Sequence, residues 1–364
     1  MPTKQVIKMG LKLVTLVDKI DERMSPLQRS CEEHGLKLEV VGVGTTWKRN
    51  AFKFRVLEKY LQSEGVDDDD VLLLVDAFDV VMNAGESDLM ERYLAQNADV
   101  VFSAEANYYF READLSLKYW RIYPRQEGSV YHFLNSGTFM ARASALKALL
   151  SEISVTYGVD YQDDDQLYQV RSDQYLYSRY YVDATLGLVH PKFTIKLDSE
   201  QKLFGCSGGR MCVASWGRVS EIQDYLFFKY ERRMLKTFWI KETQENCRDL
   251  SFSGRQFHNT LTGSSPAIIH LPGTYTRFET VLYKIKGRPT FNRWTWARPL
   301  ALVLSFIAFL RSVVNFWYIS RVNQGVTEIK VIFPLQKGVD LTRFADGGYF
   351  RSGKCYPKDN PFTI

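Results

Sequence analysis

The 364-residue sequence predicts an α/β fold, a mixed and mostly parallel sheet with helices on its faces. Segments of strand period and helix period alternate from Lys12 to Ile153, the pattern of right-handed β-α-β crossovers. One segment, Val71-Leu-Leu-Leu-Val75, is apolar throughout and too short for a helix, so it reads as a central strand covered on both faces. Asp76 and Asp79 follow at once, and open α/β sheets bind ligands just beyond the carboxyl ends of such strands.

Lys12–Val17 reads as the first strand, Pro26–His34 as a helix and Leu36–Val43 as the second strand. Phe52–Gln62 has apolar residues at helical spacing, and Val71–Val75 is the central strand. A helix over Ser87–Ala95, strands over Asp99–Ser103 and Thr138–Ala141, and a helix over Ala143–Ile153 continue the alternation. From about Gly187 it weakens into short strand candidates such as Phe193–Leu197 and Ala267–His270, separated by Gly- and Ser-rich turns.

Composition excludes several classes. With 45% hydrophobic and 24% charged residues the chain is globular rather than disordered. A balance of 47 Lys and Arg against 42 Asp and Glu gives a net charge of +5, too mild to argue nucleic-acid binding. The five cysteines (Cys31, Cys206, Cys212, Cys247 and Cys355) are odd in number and form no C-x-x-C, which supports neither a disulfide framework nor a zinc site. Met1-Pro-Thr-Lys-Gln-Val-Ile-Lys8 lacks a secretory apolar segment, so the expectation is a cytoplasmic protein without a signal peptide.

Asp76-x-x-Asp79 offers hard oxygen ligands at a strand end, where a divalent metal bridging to phosphates is the natural occupant. The plainer alternative is that Asp76 caps a turn and Asp79 is solvated. The acidic run Asp67–Asp70 enters the strand from the opposite end and reads as solvated.

Further motifs stand in register with these carboxylates. Val41-Gly-Val-Gly-Thr-Thr-Trp47, Lys53 heading a helix, Val75-Asp-Ala-Phe-Asp-Val80, Val101-Phe-Ser-Ala-Glu105, Asn135-Ser-Gly-Thr-Phe139, Asp163-Asp-Asp-Gln-Leu-Tyr168 and Ile268-Ile-His270 occur in one order. That order resembles the glycosyltransferase domain of the procollagen lysyl hydroxylases, over about residues 10–290. The resemblance implies a GT-A fold, a UDP-sugar donor (UDP-glucose or UDP-galactose), a manganese ion and a hydroxyl acceptor on protein, glycan or lipid. It also implies a glycosyltransferase domain over 1–290; the residues beyond it read separately, as an apolar, Trp- and Arg-flanked helical segment over 291–320 and a C-terminal tail over 321–364.

Carried onto this sequence, the resemblance makes His270 the third metal ligand beside Asp76 and Asp79, and an Asp/Asp/His set suits Mn²⁺ better than Ca²⁺. Trp47 and Phe78 become surfaces for the uracil ring, with Val43 and Gly44 on the loop before Trp47. Phe78 stands where the family usually has tyrosine. Lys53 aligns near the diphosphate, and Asn135, Ser136 and Gly137 shape the sugar pocket. Asp163, Asp164 and Asp165 with Gln166 align beside the transferred sugar, where a carboxylate acts on the acceptor hydroxyl, stabilises an oxocarbenium-like centre or holds sugar hydroxyls. The alternative for them is a solvated acidic turn.

The chain departs from the family twice. The glycine-rich loop after the tryptophan is reduced to Lys48-Arg-Asn-Ala-Phe52, and Leu271-Pro-Gly-Thr-Tyr-Thr276 replaces a Gly-Asn-Gly-Pro-Thr/Ser-Lys sequence. Gly273 survives, and Arg277 stands where it can restore a cation.

Two other functions compete: an inactive relative that keeps the nucleotide fold, and a glycosyltransferase of hydroxylated nucleic-acid bases. Beyond the resemblance, Pro299–Ile319 is long enough to cross a bilayer as one helix but carries Arg311 near its middle. With Trp294, Trp296, Trp317 and Tyr318 flanking it and basic residues before it, residues 293–320 read either as a peripheral membrane contact or as a buried C-terminal helix.

Overall fold

A computed structural model describes residues 10–106, 123, 124, 126–170, 172–207, 249–274, 278–287, 349–351 and 354–356. The chain divides into two compact units. The first comprises Met1–Glu105, Gln126–Gly208 and Arg248–Thr290; the second comprises Ala106–Arg125, Gly209–Cys247 and Phe291–Ile364.

In the first unit β1 (Leu11–Leu16), α1 (Ser25–Glu33), β2 (Leu38–Val41), α2 (Lys53–Leu61) and β3 (Val71–Val75) form the expected β-α-β-α-β start. Then come β4 (Val80–Met82), α3 (Glu86–Ala95), β5 (Val100–Glu105), β6 (Phe133–Arg142), α4 (Ala143–Tyr157), α5 (Asp164–Val170) and α6 (Asp173–Thr185). The chain continues through β7 (Ile195–Asp198), β8 (Phe204–Cys206), β9 (Leu250–Ser253), β10 (Gln256–Asn259), β11 (Ile268–His270) and α7 (Phe278–Ile285). In the second unit β12 (Tyr349–Arg351) pairs antiparallel with β13 (Lys354–Tyr356).

The main sheet has the order β2-β1-β3-β6-β5-β7. The β1–β2, β1–β3 and β5–β7 pairs are parallel, and β6 runs antiparallel to both β3 and β5. The fold is therefore the expected α/β class with a mostly parallel sheet, and β6 is its reversed member. All of β3 is buried, as its unbroken apolar run requires. Each such Val or Leu contributes about 1.5–3 kcal/mol by leaving water.

One face of the sheet is covered by aliphatic packing, in which Leu13, Leu73, Val101 and Met140 meet Leu27 of α1 and Leu89 and Tyr93 of α3. The other carries aromatic rings. Phe54 of α2 stacks on Tyr161 at 4.9 Å and meets Tyr177 of α6 at 4.9 Å, while Tyr177 lies 5.1 Å from Phe102 and 5.6 Å from Phe139. Such pairs add about 0.5–1.5 kcal/mol each beyond area burial. They fix α2 and α6, the two helices whose first residues are Lys53 and Asp173, against the sheet.

Two features were not expected. β6 spans ten residues where Thr138–Ala141 was predicted, because its entire length is covered between β3 and β5. Val80–Met82 leaves the main sheet and pairs antiparallel with β11, which pairs in parallel with β8, making a second three-stranded sheet. The apolar segment at 299–319 and Arg277 lie outside the described residues. Among the described residues no helix is long and apolar enough to cross a membrane.

Leu73→Ala, in the centre of β3, should cost about 2–5 kcal/mol in urea unfolding through transfer and cavity terms. Val155→Ala, 81% exposed on α4, should stay within about 0.5 kcal/mol.

Candidate active site

The Asp76-Ala-Phe-Asp79 turn leaves the main sheet at β3 and enters the small sheet at β4, so its two carboxylates stand at the seam between the sheets. Asp76 N–H donates to Gly137 O at 2.7 Å, extending the β3–β6 pairing by one residue. His270 is the register partner of Val80, next to Asp79, and Leu271 N–H donates to Asp79 O at 2.9 Å. Gly273, at φ 79°, turns the following chain back so that its N–H donates to Asp79 Oδ2 at 3.0 Å.

Asp76, Asp79 and His270 thus bring ligand atoms within 4.8 Å of one another. His270 Nε2 lies 3.5 Å from Asp79 Oδ1 and 3.9 Å from Asp76 Oδ2, fully buried and without a hydrogen bond. A buried, unpaired imidazole nitrogen aimed between two carboxylates is the donor set that a divalent cation completes, so these residues fit a metal. Burial opposes charge on this imidazole, but the carboxylates, Asp79 foremost, outweigh it and raise its pKa.

Gly137 is required by close approach. The pairing of β6 with β5 jumps from Phe139 opposite Phe102 to Asn135 opposite Ser103, a bulge that throws residues 136–138 toward the seam. A Cβ on Gly137 would lie 2.2 Å from His270 Cε1 and 2.8 Å from Asp76 Oδ2. Asn135 holds this bulge: its Oδ1 accepts the Gly137 N–H at 2.8 Å and its Nδ2 donates to buried Glu105 at 3.0 Å.

Lys53 donates to Asp76 Oδ1 and lies 3.8 Å from Asp173 Oδ2. Burial opposes its charge, yet Asp173 and Asp76 outweigh that and raise its pKa, so the ammonium persists. Asp173 is buried at the start of α6, accepts a hydrogen bond from Ser136 Oγ at 3.0 Å, and is pushed above the usual carboxylate range by burial, with Lys53 pulling the other way. Its neighbour Gln174 donates to Glu105 at 2.8 Å. Lys53, Asp76, Ser136, Gly137 and Asp173 line one cavity with Tyr177.

The structure brings together Asp76, Asp79, His270, Lys53, Asn135, Ser136, Gly137 and Gly273. Val43, Gly44 and Trp47 lie on the loop after β2, at the same carboxyl edge as Asp76; Val43 is exposed and Trp47 half-buried. Phe78 is half-buried against Val17, Met24 and Ala77, and the Arg23 guanidinium lies over its ring at 4.6 Å.

The acidic cluster is held by partners of its own. Asp163 caps α5, accepting from Asp165 N at 2.8 Å, Gln166 N at 3.1 Å and Gln166 Nε2 at 2.9 Å. Asp164 is held by Lys48 at 3.0 Å and Arg55 at 2.7 Å, and Gln166 Oε1 accepts from Asp160 N. Among the described residues no hydrogen bond or ion pair joins Asp163, Asp164 or Asp165 to the triad. Besides Asp76, the carboxylate beside Lys53 is Asp173, eight residues after Asp165. Its signal in the sequence is a second Asp-Gln pair, Asp173-Gln174, opening a longer helix with an aromatic, buried first turn.

Gly137→Ala should keep the circular dichroism of the fold but displace His270 and weaken divalent-metal binding at least about tenfold by calorimetry, since ligand geometry limits affinity.

The sequence is similar to known proteins. A procollagen-lysine,2-oxoglutarate 5-dioxygenase 1 from Gallus gallus is 28% identical over 203 residues, covering 54% of this chain and 25% of its own. The multifunctional procollagen lysine hydroxylase and glycosyltransferase LH3 from Homo sapiens is 24% identical over 202 residues, covering 53% and 24%. The chain thus spans about a quarter of the length of these relatives. A solved glycosyltransferase involved in glycosylation of the major capsid of PBCV-1 overlays at a TM-score of 0.34 and 12% identity, covering 75% of this chain and 98% of its own, a likeness too loose to carry an argument. The family model of the PLOD GT domain matches residues 8–211, more than half of the sequence, and the chain belongs to that family of glycosyltransferase domains.

Proposed function

We propose that the chain is a metal-dependent glycosyltransferase that moves a hexose from a UDP-sugar, UDP-glucose or UDP-galactose, to a hydroxyl acceptor. The observation that carries this reading is the convergence of Asp76, Asp79 and the unpaired, buried His270 Nε2, with Lys53 alongside. A bound divalent cation, Mn²⁺ by the mixed oxygen and nitrogen donors, supplies positive charge beside the departing diphosphate.

The protein's own groups then divide the work. Asp76, Asp79 and His270 hold the cation, and the Gly273 N–H fixes one Asp79 oxygen so that the other faces His270. Lys53 brings a persistent ammonium to the same cavity, suited to a diphosphate oxygen. Asp173, held by Ser136, is the carboxylate placed to take the acceptor's proton or to stabilise charge at the sugar carbon. Trp47 and Phe78 serve the base. The names of the relatives favour a hydroxyl on a protein over a glycan or lipid.

Screening UDP-sugars for Mn²⁺-dependent UDP release tests the reading. Release from UDP-glucose or UDP-galactose, abolished by EDTA and restored by Mn²⁺, is expected; no turnover with any UDP-sugar despite Mn²⁺-dependent UDP binding would favour the inactive relative. In calorimetry Asp79→Ala should weaken Mn²⁺-dependent UDP binding by at least about a hundredfold, more than a change outside the ligand set. Unchanged affinity would remove the metal assignment.

A second comparison separates the two acidic groups. Asp173→Asn should lower kcat by about 10²-fold or more while UDP affinity stays within about threefold. Replacing Asp163, Asp164 and Asp165 together by Asn should leave kcat within about tenfold, because their partners are a helix cap and surface cations. The reverse ranking would return the acceptor-side role to the 163–165 cluster.

A further inference from the structure

Cys206 ends β8 and is the register partner of His270 in the parallel β8–β11 pairing. Both residues are 1% exposed, and Cys206 Sγ stands 3.9 Å from His270 Nδ1, within reach of a hydrogen bond to sulfur. The other ring nitrogen, Nε2, is the unpaired one that faces Asp76 and Asp79. An imidazole ligates a cation only through a nitrogen that carries a lone pair. With Nε2 so engaged, the ring proton sits on Nδ1 and requires an acceptor.

We propose that Cys206 is a positioning residue of the cation site: its sulfur accepts the Nδ1–H of His270 and holds the imidazole in the tautomer and rotation that aim the Nε2 lone pair between Asp76 and Asp79. The inference rests on the metal-dependent reading above and adds to it the group that sets ligand geometry. The sulfur is itself held in place. Cys206 N–H donates to Gln201 Oε1 at 2.7 Å, and the next residue, Ser207, donates its N–H to His270 O at 3.0 Å, which locks the two strand ends together.

A thiol in this position has a consequence that the commoner carboxylate partner lacks. A carboxylate would place a further negative charge against a seam that already holds Asp76 and Asp79, whereas a neutral thiol adds none. A thiol also both donates and accepts. It can donate S–H to Nδ1 when the ring proton is on Nε2, and accept from Nδ1–H when Nε2 holds a cation.

Mn²⁺ affinity of the full chain, read from the electron paramagnetic resonance signal of the free ion, tests this with Cys206→Ala and Cys206→Ser. Ala removes both donor and acceptor and should weaken binding about 10–100-fold, the scale of losing a ligand's hydrogen-bond partner. Ser keeps both functions and should recover most of that loss, with Tm and circular dichroism of both variants close to wild type. A folded Ala variant that binds Mn²⁺ within twofold of wild type overturns the positioning role and leaves the metal site standing. A Ser variant no better than Ala assigns the loss to packing and likewise overturns it. A wild-type chain that binds no Mn²⁺ overturns the metal reading itself and this inference with it.

Discussion

Like-charge repulsion at the seam between the two sheets is the constraint around which the rest of the site is arranged. Asp76 and Asp79 converge with His270, and Asp173 stands across Lys53 from them. At an effective dielectric constant near 20, two unit charges 4 Å apart repel by about 4 kcal/mol, more than a good hydrogen bond returns. Among the described residues Lys53 is the cation shared between Asp76 and Asp173, which is why its charge survives burial. On the proposed reading, a divalent cation held by Asp76, Asp79 and His270 would relieve what remains.

Such a cluster can be held only by backbone that cannot relax away from it. β3 is anchored by complete burial on both faces, so Asp76 begins from a fixed point. The β6 bulge presses Gly137 against His270 and Asp76, and Asn135 locks the bulge to Glu105, which also receives Gln174 beside Asp173. Glu105 thereby joins the strand that shapes one side of the cavity to the helix that supplies its other carboxylate. Beneath them the aromatic cluster of Phe54, Phe102, Phe139 and Tyr177 ties α2 and α6 to the sheet. Lys53 precedes Phe54 directly and Asp173 precedes Tyr177 by one helical turn, so apolar packing below sets polar distances above.

The sequence was legible where local pattern and tertiary position coincide. The apolar run of β3 announces a buried strand, and the Asp-x-x-Asp after it announces a ligand edge, because strand polarity alone decides which end carries the site. His270 was legible only through family resemblance, since a histidine ending a three-residue strand has no local mark of metal binding. Asp173 was missed because composition draws the eye to three consecutive aspartates, whereas burial singles out one. Glu105 lay within a recognised motif, but its role depends on two amides from distant elements. Cys206 could not have been chosen from spacing, for its meaning comes from parallel strand register.

The acidic cluster of α5 also ties neighbouring segments together. The loop after Trp47 is short, and Lys48, Arg49 and Arg55, on that loop and on α2, reach α5 and the turn before it: Lys48 and Arg55 to Asp164, Arg55 also to Tyr161 O at 2.7 Å, and Arg49 over the Tyr168 ring at 4.6 Å. Each exposed ion pair alone is weak, since water screens it. Together they span the segment from Trp47 to the helix that opens with Lys53, so the loop and the cation that the proposed function assigns to the base and the diphosphate share one anchor. Hydrogen bonds from Lys48, then Arg55, hold the Asp164 carboxyl below its ordinary value. A depressed carboxylate contributes its hold above the unfolded-state value and loses it as pH falls through the lowered one, so the anchor is intact at neutral pH. High salt screens it instead. If α5 works this way, nucleotide affinity should fall with ionic strength more steeply in the wild type than in Asp164→Asn, measured by calorimetry from about 0.05 to 0.5 M salt. Parallel salt dependences would mean that the loop is held by its backbone alone.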